Sequence, residues 1–345
     1  MPKEITHWWL VLEILESLNH APSAVDAMET AKSPLPVQKT CPVLASVLSK
    51  NRNAFLLGSV GPDFLFYYLH GSEKEKFRDA GMFLHGSEGN DTLTILSETI
   101  EEFGDTVSEA VWAFLFGYAC HVMSDSVFHP LVLYCVGKGD AKALYNHHFF
   151  ESTLDMYVID ILKAKNVPRR IARLFKDMEI EKTFFLKLVG FMLFDGAEYE
   201  QSALKICLKR YARMQASFWN PLWRNFARLA GVIKPSLRHF GPAFYQKISH
   251  KSAYTFCQTF NYQHPVTGAE CCHSIADLKN EVVRESRVIA EIFETILTDS
   301  SCDPVAALEK VHGPNLETGL HGDNAKKILY TAPDGFAGFL RTAAN

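Results

Sequence analysis

The sequence predicts an all-α protein, and three observations carry that prediction. Apolar residues recur at steps of three and four, as in Trp8, Leu12, Leu15 and Leu18, the period of a helix that buries one face. Period-two alternation between turn dipeptides, the mark of half-buried strands, is hard to find anywhere. Helical segments follow one another without an internal repeat or a low-complexity linker. The expected architecture is therefore a packed multi-helix bundle.

Taken in order, the stripe from Trp8 to Leu18 gives a first amphipathic helix. Pro22, Pro34, Pro36 and Pro42 then punctuate a loop that ends in Val43–Leu48. Gly58-Ser59-Val60-Gly61-Pro62-Asp63 reads as a turn, and the aromatic run Phe64 to Tyr68 after it reads as core. Glycines and charges from Gly71 to Gly89 suggest another loop. From Asp91 onward helices are expected over about 91–103, 106–129, 139–164, 168–176, 181–194, 198–215 and 218–231. Residues 235–280 are less regular and contain the turn His264-Pro265-Val266-Thr267-Gly268; a long helix follows from Ser274 to Thr298. No shift in composition marks a boundary. Residues 1–300 are taken as one helical domain, and 301–345 as an extension of short helices and loops packed on it.

Composition narrows the class further. A net charge of −4 excludes a globally basic nucleic-acid binder. No apolar run reaches the roughly 18–20 residues that span a bilayer, and the richest, Ala110 to Cys120, reads as a buried helix. Glu13 and Glu16 interrupt the apolar run near the N-terminus, so no signal peptide is expected. The eight cysteines form no C-x-x-C pair and read as buried, reduced thiols of a cytoplasmic protein.

Within that helical frame one stretch carries chemistry. His121 and Asp125 stand four residues apart, as do His147 and Glu151. Positions four apart lie one turn apart on one helix face, so each imidazole can converge with its carboxylate on one cation. Imidazole and carboxylate together suit zinc. His129 continues the first row by another step of four, and Pro130 is expected to end the helix there and turn His129 toward a second ion. A buried helix carrying these groups is costly unless they are paired or metal-bound. His148 lies about 100° around its helix from His147 and is expected to face solvent or support a ligand. Asp155, eight after His147, lies near the same face and could orient a ligand imidazole, but reads first as a surface carboxylate. Asp63 follows a turn that can aim it by backbone geometry, although its default role is a helix cap. His7 signifies nothing by itself. Both His70-Gly71 and His85-Gly86 lie in the glycine-rich stretch and could reach a metal.

The turn Gly58–Phe64, the segments Gly117–Asp125 and Asn146–Glu151, and Thr6-His7 before an apolar helix occur in an order that resembles the zinc-dependent phospholipase C family. Single-strand nucleases and the N-terminal domain of glycosylphosphatidylinositol-specific phospholipase D share that pattern, which extends over residues 5–300. The resemblance implies an all-helical phosphodiesterase holding two zinc ions, with a third where the N-terminus completes its site. It implies one zinc on Asp63, His85, His121 and Asp125, with His85 preferred to His70, and another on His129, His147 and Glu151. Asp125 would bridge to a third ion shared with His7. It also implies attack on the phosphodiester by a metal-bridged hydroxide, with Asp63 orienting or deprotonating that water and Asp63 and Asp125 as the catalytic carboxylates. Secreted members supply the third ion with the amine and carbonyl of an N-terminal tryptophan. Here six residues precede His7, so that site is expected to lack those ligands.

Substrate class is less constrained. A phospholipid, with peripheral membrane contact, is the first expectation for substrate and partner. Another phosphodiester such as nucleic acid is the second, and a non-catalytic zinc- or lipid-binding protein the third. The basic segments Lys163–Lys176 and Lys205–Arg213 could meet an anionic surface but read as solvated helix faces.

Overall fold

A computed structural model describes residues 3–20, 39–68, 71–194, 201–322 and 328–332. The chain is all-α apart from one short hairpin among the described residues. In order come α1 (Glu4–Leu18), α2 (Pro42–Lys50), α3 (Arg52–Gly58), a 3-10 turn (Pro62–Tyr67), α4 (Lys74–Leu84), α5 (Thr94–Phe103), α6 (Glu109–Val136) and α7 (Ala141–Asp160). There follow α8 (Ile171–Lys176), α9 (Lys182–Phe194), α10 (Gln201–Ser217), α11 (Pro221–Ile233), a 3-10 segment (Pro235–Ala243) and α12 (His250–Phe256). Strands β1 (Phe260–Gln263) and β2 (Glu270–His273), α13 (Ile275–Thr298) and α14 (Pro304–Leu308) complete the set.

The axis of the molecule is α6. Ser108 caps its first turn by accepting from Val111 N–H, and 89 % of its most apolar stretch is buried inside the protein. That helix is long and apolar enough by composition to cross a membrane, so the apolar run is longer than the sequence suggested. Burial by its own neighbours accounts for the composition: α1, α2, α3, α7 and α13 all pack on it. Phe116 meets Phe55 of α3 and Phe293 of α13 with ring centroids 5.9 and 5.2 Å apart. Gly58 and Gly117 let α3 and α6 cross backbone against backbone. A Cβ on Gly58 would lie 2.0 Å from the Phe114 carbonyl oxygen, and one on Gly117 would lie 2.3 Å from that of Phe55. This close crossing carries the Ser59 carbonyl to the side of α6.

Several sequence expectations need correcting. The helix does not end at Pro130 but continues to Val136. Proline removes only one N–H, the donor to Ser126, and the turn at Gly319 packs directly over the Ser126 carbonyl. The stretch 71–89 is not all loop, because α4 occupies Lys74–Leu84 and buries Phe77, Gly81 and Leu84 on one face. The hairpin was not expected: β1 and β2 pair antiparallel around the turn at His264–Gly268, with Phe260 opposite His273. Each strand has four residues, too few to display alternation. Cys257 and Cys272 are exposed rather than buried, while Cys41, Cys120, Cys135 and Cys207 are buried; all are free thiols. The proline-rich loop around Pro22, Pro34 and Pro36, and His70, lie outside the described residues.

Candidate metal centre

Three ligand groups gather where α1, α6, α7 and the turn after α3 meet. Their candidate atoms lie within 4.8 Å of one another in each group: His7, His121 and Asp125; Asp63, His85 and His121; His129, His147 and Glu151. His121 belongs to two of them. Asp125 faces both directions, with Oδ1 3.2 Å from His7 Nε2 and Oδ2 3.4 Å from His121 Nε2 and 3.9 Å from His85 Nε2. Asp63 Oδ1 is 3.4 Å from His85 Nε2 and 3.9 Å from His121 Nε2. The His7 and His121 rings stack at 4.4 Å.

Each element aims its residue for a local reason. Asp63 stands in the first turn of the 3-10 segment that Pro62 initiates; the N-cap position is Gly61, not Asp63. His85 closes the C-terminal end of α4 rather than lying in an open loop. His121 Nδ1 donates to the Ser59 carbonyl at 2.9 Å, His85 Nδ1 to Gly81 at 2.6 Å and His129 Nδ1 to Leu316 at 2.6 Å. A carbonyl only accepts, so each Nδ1 carries a proton and Nε2 is the ring nitrogen turned toward the cluster. Such outer hydrogen bonds hold a ligand imidazole in one tautomer and one orientation.

The sequence missed two supports. The turn Asn315–Leu320 supplies no candidate ligand, yet it braces two histidines. Leu316 N–H donates to the His85 carbonyl at 3.0 Å, the Leu316 carbonyl takes the His129 proton, and Asn315 Nδ2 donates to Gly86 at 2.8 Å. Asn315-Leu316 carries no pattern that points to a site, and contact across more than 180 residues leaves no local signal. The other support is Asp155, which is fully buried and not a surface carboxylate. It accepts from Thr6 N–H and Oγ1 at 2.9 and 2.6 Å and from the Tyr245 hydroxyl at 2.7 Å. It thereby fixes the first turn of α1, which carries His7. Its position one turn after Glu151 was the available clue.

Electrostatics separates the groups. Burial depresses the pKa of His7 and, more strongly, of His129, so both are neutral bases. At Asp125 burial opposes the charge, but the imidazoles of His129 and His121 outweigh it and hold the carboxylate well below its ordinary range. Glu151 behaves likewise, its charge favoured over burial by His147, whose Nε2 lies 2.8 Å from Oε1. His148 does not face open solvent. It lines the cleft beside His239, ring centroids 6.0 Å apart, and desolvation pushes its imidazole down to about 3. Burial pushes the Asp155 carboxyl up to about 7.

Whether these residues suit a metal can be judged from the atoms themselves. His7 Nε2, Asp63 Oδ1, His121 Nε2, both Asp125 oxygens and His129 Nε2 are buried without a hydrogen-bond partner. Leaving a buried polar group unmatched costs about 1–3 kcal/mol each, more when it is charged. Converging lone pairs from neutral imidazoles and anionic carboxylates are what a divalent cation requires. The donor set fits zinc.

A cleft of about 410 Å³ opens onto this centre. Asp63, His85, His129, His147 and Glu151 reach its wall, while Phe66, Tyr67, Phe218 and Phe240 line it with aromatic surface. Phe64 and Leu65 are core, so the aromatic run divides between packing and cleft. Among the described residues Lys3 is the one lysine or arginine on that lining, which also carries Glu4 and, paired with Lys138, Glu317. A family model described as zinc dependent phospholipase C matches residues 6–200, more than half of the chain. No curated protein and no solved structure matches it.

Proposed function

Because the chain belongs to the zinc-dependent phospholipase C family, we propose that it hydrolyses phospholipid headgroup phosphodiesters with two or three bound zinc ions. The observation that carries this reading is the set of buried, unpartnered nitrogen and oxygen atoms converging beside an aromatic cleft. Asp63, His85, His121 and Asp125 would hold one ion, and His129, His147 and Glu151 a second. His7 and Asp125 Oδ1 would contribute to a third. Zinc bound there supplies Lewis acidity toward phosphoryl oxygens and lowers the pKa of water into the neutral range.

The chain's own residues perform the rest. Asp63 reaches the cleft with an unpartnered oxygen and is the candidate to orient the attacking water and take its proton. Asp125, held anionic, turns Oδ1 toward His7 and Oδ2 toward His121 and would offer one oxygen to each of two sites. Phe66, Tyr67, Phe218 and Phe240 would exclude water and receive the apolar part or cationic headgroup of a lipid.

The charge of the cleft favours lipid over nucleic acid as substrate. A strand-binding groove tracks a phosphate backbone with several lysines and arginines, and here Lys3 is the one such residue on the described lining, the nearby Lys138 being paired with Glu317. Zinc content by mass spectrometry and hydrolysis of a chromogenic phosphocholine ester against single-stranded DNA test the reading. Two or three zincs with ester hydrolysis are expected. A protein without zinc after gentle purification, or one that cleaves only DNA, would overturn it.

A further inference from the structure

Helix α11 is inside out. Its sequence, Pro-Leu-Trp-Arg-Asn-Phe-Ala-Arg-Leu-Ala-Gly-Val-Ile, is strongly amphipathic, yet Gly231 is its sole buried residue. At 100° per residue Leu222, Phe226, Leu229 and Ile233 fall on one narrow stripe, with Trp223 and Val232 at its edges. That stripe points to solvent: Leu222 and Ile233 are each 77 % exposed, and Phe226 is 62 % exposed. Gly231 faces the other way, toward the 3-10 segment Pro235–Ala243, where a Cβ would lie 2.8 Å from the Arg238 Cα. Isolated exposed apolar residues are ordinary, but six on one helix form a contiguous patch that marks an interaction site.

Charge around the patch is one-sided. The protein is net negative, yet residues 201–269 contain ten of its lysines and arginines and no aspartate or glutamate. Arg228, Lys234 and Arg238 are exposed beside the apolar stripe. An apolar helix face with tryptophan and phenylalanine, flanked by cations on a segment that itself carries no acid, complements an anionic lipid surface.

One edge of the patch, at Val232, approaches the cleft wall. The segment Pro235–Ala243 packs between α11 and α7 and carries His239 and Phe240 into the cleft wall. On the α7 side Leu144 is exposed at the cleft, and the adjacent Tyr145 shares a hollow with Arg228, Val232 and Arg238. We propose that α11 is a bilayer-docking helix, seating its apolar stripe among the lipids of an anionic membrane beside the catalytic cleft. The choice of a bilayer rests on the phospholipid reading above; the docking itself needs no turnover.

The test is flotation of the full chain with vesicles of phosphatidylcholine alone or with about a third phosphatidylglycerol. Wild type should float with the mixed vesicles, and its Trp223 emission should be quenched by acyl-brominated lipid. The triple variant Leu222→Ser, Phe226→Ser, Ile233→Ser alters exposed side chains and should bind about tenfold or more weakly, with hydrolysis of a soluble short-chain ester unchanged. Lys234→Glu with Arg238→Glu should erase the preference for the mixed vesicles. Asp125→Asn should float like wild type even without turnover, so failure of the enzymatic reading leaves this readout intact. Absence of wild-type flotation, or equal flotation of the triple serine variant, overturns the proposal. So does a wild-type dimer that the serines dissolve without any vesicle binding, because a second copy then covers the patch.

Discussion

The pairs His121/Asp125 and His147/Glu151 have the same chemistry and the same spacing, and the fold treats them in opposite ways. The first lies in the middle of α6, both side chains fully buried, with Asp125 facing imidazoles from α1, α4 and its own helix. The second lies near the start of α7 at the cleft, where the His147 side chain is 23 % exposed and bonds its own Glu151. Spacing alone confers the capacity to bind; burial and neighbours decide whether an ion there is locked in or reachable. The inner pair suits an ion that organises the centre, and the outer pair suits one close to substrate.

Substitutions can break that contrast. Asp125→Asn is expected to have the largest effect, lowering phosphodiesterase activity on the order of 10³-fold or more and removing more than one zinc per chain. Full activity, or loss of a single zinc, would refute its bifacial role. Glu151→Gln should cost about 10²-fold and remove one zinc only, with the inner group still loaded. A chelator time course followed by metal analysis sharpens the same point: zinc on His129, His147 and Glu151 should leave first, and simultaneous release would show that the two groups do not differ in access. Asn315→Ala should weaken zinc binding about 10–100-fold through His85 and His129, although Asn315 belongs to neither pair.

The smallest effect concerns Asp155, one turn beyond the outer pair. Its folded pKa, about 7, lies above the ordinary carboxyl value of 3.8. In the unfolded chain the acid ionises first, so this group's favourable contribution is complete below pH 3.8 and declines as pH rises. It is lost once pH passes about 7. Asp155→Asn keeps an acceptor for Thr6 and removes the titration. It should flatten the thermal midpoint against pH between about 4 and 7, by a few degrees, and an unchanged profile would show that Asp155 is not the titrating group.

Much of the centre was legible because its parts are local. The four-residue steps of the two pairs and the turn that presents Asp63 are short-range patterns, whereas His7, which lies inside α1, carries no such signal by itself. Misreadings arose where a distant segment intervened. Pro130 does not end α6, because the turn around Gly319 packs over the weakened point. Asp155 is interior rather than exposed, because Thr6 and Tyr245 close over it. Helix α4 was hidden by its charges and glycines, although Phe77, Gly81 and Leu84 make a buried face only once the 3-10 segment packs on it.

The sequence by itself determined the helical class and the supply of imidazoles and carboxylates, since both follow from periodicity within one or two turns. Tertiary structure decided which lone pairs face the centre. The carbonyls that set the tautomers of His121 and His129 belong to Ser59 and Leu316, 62 and 187 residues away. Hydrogen bonds between such distant parts form only when the packed helices bring them together, so no local spacing encodes them.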